Sequence, residues 1–299
     1  LDGEEVMTSG INKYQKYYLT VEEALNNIFS DLNDESVVTE AMRYSILNGG
    51  KRFRGIIALA FCEVISGDYK EAIIPACAVE MVHSYSLIHD DLPIMDDDDF
   101  RRGKPSCHVK YGEATALLAG DGLLTLAFEH LSKMPDAQKS IECVGVLASA
   151  SGHRGMILGQ QLDIENENKK SKNINDLLKI YKNKTGKLIS AAGCLGLIAG
   201  NASAEDRQVS SYYLDNIGLA FQIIDDVLDI TSTTETMGKP VGSDIKNDKP
   251  TIASVNGIEE SIRYSKSLIS EAKEKILERF GEKSHTLLFI ADKVINRVN

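Results

Sequence analysis

Tyr85-Ser86-Leu87-Ile88-His89-Asp90-Asp91-Leu92-Pro93-Ile94-Met95-Asp96-Asp97-Asp98-Asp99 runs from an apolar, helix-like stretch straight into six aspartates. The same order recurs 135 residues later, where Leu219-Ala220-Phe221-Gln222-Ile223-Ile224 leads into Asp225-Asp226-Val227-Leu228-Asp229. Like charges at the end of a buried segment repel unless something neutralises them. A hard divalent cation does so, and one held by one or two carboxylates usually also holds phosphate. Two core helices ending in acid that faces one cavity would make a magnesium–diphosphate site.

Outward from these runs, the composition favours helix. Ala, Leu, Ile, Glu and Lys fill long stretches, no alternating Val/Ile/Thr blocks recur, and only six prolines occur in 299 residues. No Gly/Ser/Pro-rich linker divides the chain, so 1–299 reads as a single large all-α domain, with residues 1–10 adding little. The pattern predicts helices over 14–28, 36–47, 56–66, 70–91, 113–133, 138–163, 174–200, 206–230, 258–280 and 284–297. The longest irregular stretch falls at 231–252.

A net charge of −11 excludes a general nucleic-acid binder, which needs a basic face. It leaves anionic small molecules open, because bound metal inverts the local charge. Five scattered cysteines without CxxC pairing fit free thiols in a reducing, cytoplasmic setting. No apolar run reaches the roughly 18 residues of a membrane span, and the acidic beginning lacks the layout of a secretory signal.

Asp225 and Asp229 are four residues apart and share a helix face. Asp90 and Asp96 are six apart, but Pro93 between them should end the helix and return Asp96 beside Asp90. Four basic, glycine-adjacent groups accompany the acids: Gly49-Gly50-Lys51-Arg52-Phe53-Arg54, Arg101-Arg102-Gly103-Lys104, Lys184-Thr185-Gly186, and Gly238-Lys239 onward to Lys249. Any one is commonly plain surface. Together, in an acidic chain, they suit phosphate, since glycine lets backbone amides approach oxygen closely. His83 lies seven residues before Asp90, two turns along the same face.

These motifs, with Cys107-His108-Val109-Lys110-Tyr111-Gly112-Glu113, Ala119-Gly120-Asp121 and Gly159-Gln160-Gln161-Leu162-Asp163, resemble the trans-isoprenyl diphosphate synthases in order and spacing across residues 40–255. The likeness is greatest to bacterial-type farnesyl diphosphate synthases. The resemblance implies a helical bundle around a deep central cavity, assembled as a homodimer. It implies that Asp90, Asp91, Asp96, Asp225, Asp226 and Asp229 hold Mg2+, three ions per site with Mn2+ able to substitute. Arg101, Lys184, Lys239 and Lys249 would grip the allylic diphosphate, with Gln161 and Asp163 as further candidates. Lys51, Arg54, His83 and Arg102 would bind isopentenyl diphosphate without metal. Thr185 and Gln222 would line the reaction centre, making Asp90, Asp96, Lys184, Thr185 and Gln222 the catalytic set.

The implied chemistry is trans (1′-4) condensation of isopentenyl with dimethylallyl or geranyl diphosphate, by ionisation, condensation and elimination. The departed diphosphate serves as base, so no Ser-His-Asp or Cys-His set is needed. Tyr85, five residues and about 7.5 Å upstream of Asp90, with Ser86 beside it, occupies the position that in this family goes with a farnesyl (C15) product. Geranylgeranyl or longer products are the alternative. A terpene cyclase would not need Lys51, Arg54 and His83, and a catalytically dead subunit would have lost acids that are intact here. One departure is Gly55, where the family usually has proline; it predicts a looser first turn and weaker ordering of Arg54.

Overall fold

The computed structural model describes residues 3–32, 35–231 and 249–298, and they fold almost entirely as helix. In chain order come α1 (Gly3–Asp31), α2 (Val37–Leu47), α3 (Phe53–Ser66) and α4 (Ile73–Asp90). A hairpin of β1 (Phe100–Arg101) and β2 (Lys104–Pro105) follows, then α5 (Cys107–Tyr111), α6 (Glu113–Leu131), α7 (Ala137–Ser151), α8 (Met156–Lys169) and α9 (Ile174–Tyr181). A π-helical turn, Lys182–Gly186, joins α9 to α10 (Lys187–Ala199). The remainder is α11 (Ala204–Thr231), α12 (Ile252–Asn256), α13 (Ile258–Phe280) and α14 (His285–Ile295).

Burial explains the layering. α3, α4 and α10 are apolar around most of their circumference, so each must be enclosed. They pack on one another at the centre of the bundle. α1 and α13 carry one apolar stripe each and lie outside, α1 against α14 and α13 along α11. Local signals set several starts: Ser36 caps α2, Asp136 caps α7, Asn173 caps α9, and Thr251 with Ser254 forms a capping box on α12.

Three expectations change. Helix α1 begins at Gly3 rather than near residue 14, and Gly10 within it sits against Phe289 of α14. The helix expected over 138–163 is two, because Gly152 and Gly155 break it, and α8 continues to Lys169. The β1–β2 hairpin was not foreseen. Its two-residue turn, Arg102-Gly103, has positive φ at both positions, the backbone that a tight hairpin requires.

Candidate active site

Pro93 acts as its position predicts. α4 ends at Asp90, and the chain folds back until the Asp96 amide donates to the Asp90 carbonyl at 2.8 Å. Burial pushes the Asp90 carboxyl up to about 6; Lys184 pulls against this and the like charge of Asp96 adds to it. Asp91 turns elsewhere. Its carboxylate is 2 % exposed and accepts from Arg101 Nε at 2.9 and 3.2 Å and from Nη2. Arg101 also reaches Asp98 at 3.0 Å. Asp91 is thus the counter-ion that holds Arg101.

The π-helical turn connects the two aspartate clusters. The extra residue in such a turn re-aims side chains, and these turns recur at functional sites. Lys184 Nζ points to Asp163 at 2.6 Å, within the field of Asp90 and Asp96. Burial opposes its charge, but those three acids hold it above the usual lysine range. Thr185 Oγ1 donates to Gln222 Oε1 at 2.7 Å, and Gln222 Nε2 donates to Asp226 Oδ1 at 3.1 Å. The hydroxyl of Tyr181 donates to the other Asp226 oxygen and accepts the Ile252 amide at 3.0 Å. Asp226 therefore organises the reaction-centre pair. Asp225, one position earlier, pairs with Arg297, and Asp229 lies buried one turn further along α11.

Besides Asp91, two further candidates change role. Asp163 is buried between Lys184 and Lys249, 2.6 and 2.7 Å from their ammonium groups. Burial works against its charge, yet the two lysines keep its carboxyl below the usual range. A carboxylate so placed orients cations and does not itself grip an anion. Gln161 is exposed and donates to Glu165 at 3.3 Å, because two positions along a helix turn it away from the face that carries Asp163. It is not brought to the site. Lys239 lies outside the described residues.

The second basic group assembles where α3, α4 and the hairpin meet. Arg54 is 8 % exposed, and its Nε has no hydrogen-bond partner among the described residues. Arg102 donates to the Gly49 carbonyl and lies over Gly50, where an added Cβ would be 2.7 Å from the guanidinium carbon. Only glycine fits that approach, at φ +127°. Burial, then Arg54 and Arg102, hold the His83 imidazole well below its ordinary range, so it is neutral near pH 7. Lys51 is exposed at the rim, near Arg297 and Asp225. Arg52, in the same run, is structural: it is 2 % exposed, pairs with Glu22 and donates to the Ile46 carbonyl at 2.7 Å.

The sequence did not single out Tyr181, Gly159 or Glu80 as supports of the site. A Cβ at Gly159 would meet the Lys184 backbone nitrogen at 2.0 Å, so this glycine sets how closely α8 approaches the π-helical turn. Its place at the head of the Gly159–Asp163 motif was the available signal. Tyr85 is buried at 5 % exposure, edge-on to His89 with ring centroids 5.6 Å apart. Ser86 donates to the His83 carbonyl at 2.8 Å.

All candidate metal ligands are carboxylate oxygens. Among the described residues no three acidic, histidine or cysteine side chains converge into a closed cage. A hard ion here would take one or two carboxylates and complete its shell from phosphate and water oxygens, the usual arrangement for Mg2+.

A family model described as "Polyprenyl synthetase" matches residues 35–285. The chain is 44 % identical to a geranylgeranyl diphosphate synthase of Cyanophora paradoxa, covering 93 % of each protein. It is 39 % identical to the large subunit 1 of a heterodimeric chloroplastic geranylgeranyl pyrophosphate synthase of Arabidopsis thaliana, covering 96 % of this chain and 80 % of that one. A crystal structure of a Helicobacter pylori geranyltransferase complexed with magnesium and isoprenyl diphosphate superposes with a TM-score of 0.85 at 31 % identity, covering 95 % of this chain and 98 % of that one. Motif order and bundle agree with these likenesses: the chain belongs to the polyprenyl synthetase family of prenyltransferases.

Proposed function

We propose that the chain joins isopentenyl diphosphate head to tail to an allylic diphosphate and carries the product to geranylgeranyl diphosphate (C20). The observation behind the reaction is one site with two kinds of charge. Asp90, Asp96 and Asp225 stand beside Lys184, Lys51 and Arg54, while Arg54, His83 and Arg102 form a second, basic pocket. The C20 product is supported by the names of both relatives described above.

Mg2+ suits the oxygen donors of Asp90, Asp96, Asp225 and Asp229, and when bound it neutralises the leaving diphosphate. The Helicobacter pylori complex, which holds magnesium, supports that assignment. Lys184, Lys249 and Arg101 grip the allylic diphosphate, the first two oriented by Asp163 and the third by Asp91. Oxygens of the Thr185–Gln222 pair face the positive charge that develops as the C–O bond opens. Arg54, Arg102 and Lys51 hold the second diphosphate, and neutral His83 donates to it without taking its proton. The departed diphosphate accepts the proton lost on condensation.

A second reading, in which growth stops at farnesyl diphosphate (C15), is favoured by Tyr85, a buried aromatic about 7.5 Å below Asp90 along α4. Incubation with Mg2+, dimethylallyl diphosphate and labelled isopentenyl diphosphate, followed by product sizing, tests both. C20 supports the first reading and C15 the second; absence of elongation overturns both. Two copies are expected to pair, with the exposed apolar residues Leu117 and Leu118 of α6 and Ile141 of α7 as candidates for the contact. Light scattering at the monomer mass would refute that pairing.

A further inference from the structure

Helix α3 begins without an acceptor of its own. Its N-cap, Arg52, has left-handed backbone (φ 47°) and makes no side-chain cap, so the free amides of the first turn need another partner. Glu80, on α4, supplies it. Glu80 is 1 % exposed, and its Oε1 accepts the Gly55 amide at 2.9 Å. A carboxylate facing the start of a helix also meets the positive end of the helix dipole.

This bond depends on the departure seen in the sequence. Proline at position 55 would have no N–H to donate. A Cβ there would meet Val21 at 3.1 Å and the Glu80 side chain at 3.3 Å, so glycine also allows the two helices to lie this close. The expected loosening at Gly55 is not what the structure shows: the residue is buried and its amide is tied down. Arg54 immediately precedes it. Burial works against the Arg54 charge, and Glu80 is the foremost of the two acids that sustain it, ahead of Asp225.

We infer that Glu80 is a positioning residue for Arg54: it anchors, through the Gly55 amide, the first turn of α3 that carries Arg54, and so fixes where the guanidinium is presented to the second diphosphate. The inference rests on the isopentenyl-diphosphate pocket proposed above. Glu80 acts through the basic side chains of that pocket, chiefly Arg54 and, by its charge, also Arg102, so it should govern one substrate and not the other.

The test is a double-mutant cycle on Glu80→Gln and Arg54→Ala, with KM measured separately for isopentenyl and allylic diphosphates. Glu80→Gln is expected to raise KM for isopentenyl diphosphate about tenfold, the scale of one charge-assisted hydrogen bond, with allylic KM unchanged. In the Arg54→Ala background its effect should shrink to the small part that passes through Arg102. Glu80→Asp keeps the charge with a shorter reach and should fall between wild type and Gln; it also serves if the Gln variant folds poorly. Additive effects, or equal rises for both substrates, overturn the role of Glu80. If Arg54→Ala itself leaves KM for isopentenyl diphosphate unchanged, the pocket reading fails and the role of Glu80 falls with it. If Arg54→Ala raises that KM and neither Glu80 variant does, Glu80 alone is refuted.

Discussion

Arg297 sits on Asp225. Its guanidinium nitrogen is 2.5 Å from the Asp225 carboxylate, and the same group lies 4.8 Å over the Phe221 ring, one helical turn before that aspartate. An Asp225 carboxylate that accepts a metal ion must share or give up this organic cation. Arg297→Ala is therefore expected to lower the Mg2+ concentration for half-saturation by up to about fivefold, the scale of a partly exposed ion pair of up to ~1 kcal/mol. Calorimetric titration of Mg2+ in the presence of inorganic pyrophosphate reads this without turnover. Unchanged affinity would show that Arg297 does not compete.

Asp163 holds two lysines at once. Asp163→Asn removes their shared charge, and Lys184 and Lys249 then drift from a fixed geometry. The allylic KM is expected to rise at least about tenfold, as for loss of one buried charge-assisted bond, while KM for isopentenyl diphosphate holds. Equal rises in both constants would argue for a general loss of structure.

His83 is neutral in the folded chain, with its pKa held below the usual 6.5. In the unfolded chain it takes a proton as pH falls through 6.5, and the folded state does not. The unfolded state then binds more protons, so stability is lost toward acid, by on the order of 1 kcal/mol per pH unit below 6.5. Urea unfolding at pH 7.5 and 5.5 should show a steeper acid loss for wild type than for His83→Gln. A parallel loss in the two proteins would mean that the imidazole charges in both states. His130, which burial lowers to about 4, contributes in the same direction to both and cancels in the comparison.

Tyr85 is enclosed on α4 below the first aspartate cluster. Tyr85→Ala opens a space on the side of that helix. The longest product is expected to grow by at least one five-carbon unit over wild type, whichever length wild type makes. A product distribution identical to wild type by chromatography would remove Tyr85 as the floor of the tail pocket.

Much of this site was legible in the chain because it depends on local rules. The period of the apolar residues specifies helix, Pro93 specifies the reversal that returns Asp96 to Asp90, and two turns of helix set His83 on the face of Asp90. What the period could not tell is where α1 begins or that Gly152 and Gly155 divide one helix into two, since the first depends on docking against α14 and the second on competition between glycine and its apolar neighbours.

The tertiary structure alone decided what each charge does. Asp90 and Asp91 are adjacent, yet one faces Lys184 and the other is enclosed by Arg101. Asp163 and Gln161 share a motif, yet only the aspartate faces the lysines. Glu80 and Gly55 drew no notice as a pair, because their bond exists only when α3 and α4 pack side by side. The sequence by itself determined the helical bundle, the inventory of acids and bases, and their order along the chain. Which carboxylates remain for a ligand and which are committed to a neighbouring cation was decided by packing, because an ion pair of a few ångströms depends on distances in space that no spacing in sequence encodes.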